Sequence, residues 1–183
     1  TYAVMKDYMI GEENKPIQDA FKNFIKQMFV LAGETEDAAS RIAEQVFQMQ
    51  RDFSVTGVGT EDMYDVQKYY NPHTKEELAA LYSNCDIIGF LEKIGITSFD
   101  TCIVQEMENV KKANSYLTQE NLELLKNNAR FMLYMSCSDL LTSAHEKAGR
   151  DFNEIVVGAT EQKSADTVAK ELTQSMFVWE FGK

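Results

Sequence analysis

Proline occurs only twice in 183 residues, at Pro16 and Pro72, so little in the chain forbids helix. Histidine also occurs twice, at His73 and His145. The three cysteines, Cys85, Cys102 and Cys137, form no Cys-x-x-Cys pair, and a closed structural zinc site is therefore not expected. An odd cysteine count permits at most one bridge, and thiols so far apart are expected to be buried and structural. No apolar run reaches the ~18–20 residues that span a bilayer. No charged-then-apolar leader opens the sequence either. Bases are scarce: 18 Lys and Arg stand against 29 Asp and Glu, a net charge of −11. Phosphate backbones need clustered cations, so nucleic acid is excluded as a partner, and Lys111-Lys112 reads as a solvated face. The pair Gly57-x-Gly59 has no third glycine and no following Lys-Ser/Thr, which makes it a plain loop rather than a phosphate cradle.

What is present is ordinary for a globular protein, with 44% hydrophobic and 26% charged residues. A chain of this length buries ~70% of its unfolded surface and needs no disulfide or metal to hold together. One domain over residues 1–183 is predicted, with both ends reading as cuts from a longer chain. Apolar residues at Ile17, Ala20, Phe21, Phe24, Ile25, Met28 and Ala32 repeat every three or four positions and predict a helix over 14–33. Pro16 suits its first turn and Gly33 its stop. Thr35 caps a second helix, with Glu36 and Asp37 at its positive end and Ala39, Ile42, Ala43, Val46 and Phe53 inward. So short a connection implies an antiparallel pair.

Residues 54–60 read as a loop, and a few helical turns are expected over 61–70. Thr74 and Glu77 then show capping-box spacing after the Asn71-Pro72 corner, announcing a helix to about Tyr82. Asp86 caps another short helix, Ile87 to Ile94, stopped by Gly95. Residues 99–105 are the one strand candidate, although a buried turn or helix fits so short a run equally well. A polar helix follows over 106–116. Thr118 is expected to cap a longer one with Leu122, Leu125, Ala129, Met132 and Leu133 on its inner face, and the pattern allows it to run on through Leu140 and Leu141. A last helix starts near Ser164, with Val168, Leu172 and Trp179 inward and Gly182 as its stop. The fold class is mainly α: antiparallel helices with at most one short strand or hairpin.

No active site assembles from these residues. His145-Glu146 begins a His-Glu-x-x-His pattern, in which two imidazoles one turn apart bind zinc, but the second ligand position holds Gly149. A lone exposed histidine is the expectation there, and His73 belongs to a turn. Serine, cysteine and histidine occur without the sequence context of a nucleophilic triad. Glu12-Glu13 and Glu76-Glu77 read as solvated helix ends, and the aromatics as core. No catalytic, cofactor-binding or metal-binding residue is assigned.

The order of the pieces resembles the amino-terminal domain of the neprilysin and endothelin-converting-enzyme family, which includes bacterial oligopeptidase O. Asp7-Tyr8 is similar to that family's Asp-Tyr-Tyr entry, and Phe21 to Gly33 to its helix with an apolar-x-Gly stop. Ala38 to Phe53 resembles the next helix, and Tyr70-Asn71-Pro72-His73-Thr74-Lys75-Glu76-Glu77-Leu78 the YN-x-x-T-x-x-E-L element. Cys85-Asp86 to Gly95 resembles the short helix after it, and Ile103-Val104-Gln105 the following Val-x-Val. Leu122 to Met135 is similar to the long helix, and Asp151-Phe152 to Gly158 to an F-x-x-x-x-x-G stretch. Three departures stand out: Gln50 where the family has Glu, Ile88 where it has Trp, and no Pro-Arg-Trp around residues 162–165.

The resemblance implies a helical cap that faces a zinc site far downstream and admits short peptides. It further implies a catalytic domain in the same parent chain as partner, zinc in that parent with none in this piece, and a cell-envelope, periplasmic or secreted location. The piece alone is expected to bind no catalytic zinc and cleave nothing. A stand-alone helical peptide- or protein-binding module is the alternative. A hydrolase using Cys or Ser would need a nucleophile, a base and an orienting acid to converge in a cleft.

Overall fold

A computed structural model describes residues 3–62, 64–158 and 164–178 of the chain. Ten α-helices occur among these residues: α1 Lys6–Met9, α2 Lys15–Leu31, α3 Glu36–Thr56, α4 Val66–Tyr69, α5 Lys75–Leu81, α6 Ile87–Lys93, α7 Met107–Tyr116, α8 Leu122–Ser136, α9 Ser143–Val157 and α10 Ala165–Met176. One two-stranded antiparallel sheet joins β1 (Pro72–His73) to β2 (Cys102–Ile103). The architecture is mainly α, as the periodicity implied. Trp179 and Gly182 lie outside the described residues.

The antiparallel pair α2 and α3 is the centre of the packing. Gly33, with φ of 98°, takes the left-handed backbone that ends α2, and Thr35 Oγ1 accepts from the Ala38 N–H at 3.3 Å to start α3. Phe21 meets Phe47 at 6.2 Å between ring centres, and Lys22 pairs with Glu44 while Lys26 pairs with Glu36, which fixes the opposed directions. The seam buries Phe21, Phe24, Ile25, Met28 and Phe29 from one helix and Ala39, Ala43, Val46 and Phe47 from the other. Phe131 of α8 and the half-buried Phe152 of α9 complete the aromatic cluster, with Phe24 and Phe152 stacked at 5.1 Å. Burying rings like these contributes ~1.5–3 kcal/mol each from the area removed from water, before any gain from ring geometry.

Four expectations need correction. Ala32 is exposed, because α2 ends at Leu31 and Ala32 is the capping residue beyond it. Ser54 is not in a loop: α3 continues to Thr56 because Ser54 Oγ donates to the Val4 carbonyl at 2.8 Å, tying the amino-terminal segment to the helix. Helix α8 starts at Leu122, with Thr118 Oγ1 accepting from the Asn121 N–H one turn earlier. It stops at Ser136, and Leu140 and Leu141 belong to a separate 3-10 turn and its end. The inner face of α8 is also rotated: Leu124, Phe131, Met132 and Met135 pack inward, while Ala129 is exposed and Leu133 is 61% exposed.

Tyr116 ties α7 to α3. Its ring sits edge-on to Phe53 at 5.4 Å and its hydroxyl donates to Asp52 Oδ2 at 2.9 Å. Burial, and then the Asp52 carboxylate beside it, push the phenol from its ordinary 10.0 up to about 12. A phenol whose pKa is raised on folding favours the folded state fully below about 10, and that contribution disappears as pH climbs to about 12. Tyr116→Phe is therefore expected to be less stable than the parent sequence at pH 8. The gap should narrow as pH rises through that window, measured by urea unfolding at each pH. A gap that stays constant or widens on the alkaline side excludes this linkage.

Candidate functional site

The segment that carried the strongest sequence signal builds one wall of a groove. Asn71 Nδ2 donates to the carbonyls of Lys68 and Val104, both at 3.0 Å, and the Val104 N–H donates back to the Asn71 carbonyl at 2.9 Å. One amide thus clamps the two distant chain segments that become β1 and β2. Pro72 lies opposite Ile103, a position where no ladder donor is required. The capping box forms as its spacing implied: the Glu77 N–H donates to Thr74 Oγ1 at 3.2 Å, and the Thr74 N–H to Glu77 Oε2 at 2.8 Å. Asp86 Oδ1 accepts from the Gly89 N–H at 2.8 Å to cap α6, and Gly95, at φ 93°, ends it.

Between α5, α6, β2 and α7 lies a groove of about 720 Å³. Leu78, Ile87, Leu91, Ile103, Val110 and Ala113 give it apolar walls, and Tyr82, Gln105, Glu106 and Asn109 add polar groups. Asn109 is buried and donates to the Phe53 carbonyl at 2.6 Å, so it anchors α7 rather than facing a ligand unsatisfied. Burial, followed by the neighbouring Cys85 and Cys102, raises the Tyr82 phenol above its ordinary value. Glu106 Oε1 accepts from the Val58 N–H at 3.1 Å and holds the Gly57–Gly59 loop, which is a loop as expected.

Sequence reasoning placed Leu78 and the strand but did not assemble this groove. The available signal was three short apolar pairs, Leu78 with Tyr82, Ile87 with Leu91 and Val110 with Ala113. Each lies three or four residues apart on a short helix.

The other candidates come apart in the structure. His145 is not exposed as expected but 7% exposed, on the first turn of α9, with Nδ1 2.8 Å from Thr142 Oγ1. One turn on, a Cβ at Gly149 would lie 3.3 Å from Ser138 Oγ, so a ligand side chain there would press on the 3-10 turn. His73 Nδ1 points at the Asn71 carbonyl, 2.9 Å away. No cluster of three His, Cys, Asp or Glu side chains fit to hold a metal occurs among the described residues. These residues do not fit a zinc centre.

The cysteines are also corrected: Cys85 is exposed, Cys102 and Cys137 are half-buried, and all three are free. Each lies at or near the end of a short element. Glu12 and Glu13 are exposed in a 3-10 turn, and Glu76 is exposed in the first turn of α5. No helix among the described residues is long and apolar enough to cross a membrane.

Fold and groove together define a mainly helical domain with an apolar groove between α5, α6, β2 and α7. The sequence model of the amino-terminal domain of peptidase family M13 matches residues 4–183, and the chain belongs to that family. Among solved structures, the Mycobacterium tuberculosis zinc metalloprotease Zmp1 in its open state, seen by cryo-electron microscopy, superposes with a TM-score of 0.85 at 17% identity. The crystal structure of the same protease in complex with an inhibitor gives 0.86, also at 17% identity. In both cases the match covers 96% of this chain and 28% of the protease chain, so the chain spans little more than a quarter of that protein. At this identity the likeness establishes the fold. No curated protein matches the chain.

Proposed function

We propose that residues 1–183 form a single helical domain in the amino-terminal half of a neprilysin-like zinc metalloendopeptidase, capping its active-site chamber and limiting entry to short peptides. The observation that carries this reading is the family match over residues 4–183, set beside solved relatives of which the chain covers only 28%. The donor set agrees with it, since Gly149 stands where a second zinc ligand would be needed and both histidines are engaged elsewhere. Catalytic zinc and the general base then belong to a catalytic domain of the same parent chain. The present residues bind, shape and exclude.

The physical basis of exclusion is the interdigitated α2–α3–α8–α9 core. Packed aromatics at near-crystalline density make a wall that a folded protein cannot deform, while an extended peptide passes. We propose the cell envelope, periplasm or exterior as the location of the parent, a reading supported by family likeness alone.

The 183-residue chain is expected to take up substoichiometric zinc and leave a fluorogenic peptide intact. The parent polypeptide is expected to cleave that peptide, yet spare the same sequence displayed in a loop of a folded protein. Tight stoichiometric zinc with turnover by the chain alone would refute the proposal, and so would equal cleavage of both substrates by the parent. A parent lacking any downstream His-Glu-x-x-His segment would leave a stand-alone peptide-binding module instead.

A further inference from the structure

The two-residue sheet leaves one side of β2 without a partner. The register pairs Pro72 with Ile103 and His73 with Cys102, and the Val104 N–H bonds to the Asn71 carbonyl. Hydrogen-bonded pairs alternate along an antiparallel ladder, so Asn71–Val104 and His73–Cys102 are the bonded ones. The N–H and C=O of Ile103 therefore point away from β1, and neither has a hydrogen-bond partner among the described residues. Ile103 itself is 42% exposed and lines the 720 Å³ groove.

We propose that this groove binds an extended peptide from solution, which adds as a third strand along the outer edge of β2. Main-chain bonds to Ile103 would supply sequence-independent affinity. The apolar side chains of the peptide would rest against Leu78, Ile87, Leu91, Val110 and Ala113. The volume falls within the ~300–1,000 Å³ usual for ligand sites. No Lys or Arg lines the groove, Glu106 does, and the chain carries a net charge of −11. The ligand is thus an uncharged or cationic peptide rather than an acidic one.

Two other features carry less. The hollow of about 380 Å³ between α2 and α9 is lined by charges already paired with each other, Lys26 with Glu36 and Lys147 with Asp151. The exposed stripe of α8 that includes Leu133 has nothing beside it to say what covers it.

This inference deepens the functional reading, since peptides are what such an enzyme handles, but a binding measurement stands whatever the cleavage assay returns. The probe is the capped hexapeptide Ac-Lys-Val-Thr-Val-Thr-Val-amide, titrated into the 183-residue chain by calorimetry and by amide NMR. Saturable binding is expected, with shifts centred on Ile103, Gln105 and Val110. Methylating alternate peptide nitrogens, so that the edge bonds cannot form, is expected to weaken binding at least tenfold. Replacing the lysine by glutamate should weaken it as well.

On the protein side, Ile103→Pro removes the outward donor without touching the β1 ladder and should cost a similar factor while circular dichroism is unchanged. Ala113→Phe, which fills the groove from α7, provides a second variant should the first fail to fold. Equal affinity for methylated and unmethylated peptides overturns the proposal, as does the absence of saturable binding or a shift map away from the groove. Failure of the parent polypeptide to bind the probe also overturns it, because a segment of the chain itself would then hold the edge.

Discussion

Phe131→Ala is expected to lower the free energy of unfolding by roughly 3–5 kcal/mol, the cost of emptying a sealed aromatic site. Phe131 is completely buried and touches Phe21 and Phe24 edge-on, each at 5.7 Å between ring centres. Removing the ring costs its transfer from water, and the cavity costs more, because two phenyl groups on a rigid helix cannot close over it. For a chain of this size the loss corresponds to a drop in melting temperature of about 6–20 °C. Leu133→Ala, two residues further along the same helix, is expected to change stability by less than ~0.5 kcal/mol, since that side chain is 61% exposed. Urea unfolding of the two variants decides which face of α8 is inward. Comparable losses, or a larger loss for Leu133, contradict the packing described here.

Gln50→Leu keeps the volume of the side chain and is still expected to cost roughly 2–5 kcal/mol. Gln50 is completely buried; its Oε1 accepts from the Ala3 N–H at 2.8 Å, and its Nε2 donates to Asn128 Oδ1 at 2.6 Å. One side chain thus joins the amino-terminal segment, α3 and α8. Leucine would leave the Ala3 donor and the Asn128 acceptor without partners in a place water reaches poorly, at about 1–3 kcal/mol each. The double variant Gln50→Leu, Asn128→Leu should recover part of the loss, because replacing both partners removes one of the orphaned groups. No recovery in that cycle would show that the two amides do not act together. The same geometry gives a reason for Gln at a position where the family resemblance leads one to expect Glu. The side chain is completely buried and its partners Ala3, Asn128 and Met132 carry no positive charge, so a neutral amide avoids the cost of burying an unpaired carboxylate.

What could be read ahead of the structure was whatever lay within one helical turn of itself. Thr35, Thr74 with Glu77, Asp86 and Ser164 all cap the helices their spacing announced. Capping binds a side chain to an amide two or three residues away, so no distant partner is needed. The inner face of α2 was legible for a related reason: its apolar residues occupy one stripe, and a single face is available to bury.

Helix α8 failed the same reading because apolar residues occupy most of its circumference, including Leu122, Leu124, Leu125, Phe131, Met132, Leu133 and Met135. With several faces apolar enough to bury, the neighbours chose, and Phe21 and Phe24 selected Phe131. His145 and the cysteines were misjudged for the same cause, since exposure depends on which elements come to lie beside a residue.

The amino-acid order by itself determined the mainly helical class, the capped starts of α3, α5, α6 and α10, the capping box of Thr74 and Glu77 after the Asn71-Pro72 corner and, through resemblance, the family. Tertiary structure alone decided the rotation of α8, the buried hydrogen-bonded hub at Gln50 and the groove between α5, α6, β2 and α7. Those three features are made by residues dozens of positions apart. Local propensities act over about a turn of chain, and only packing can set which distant surfaces meet.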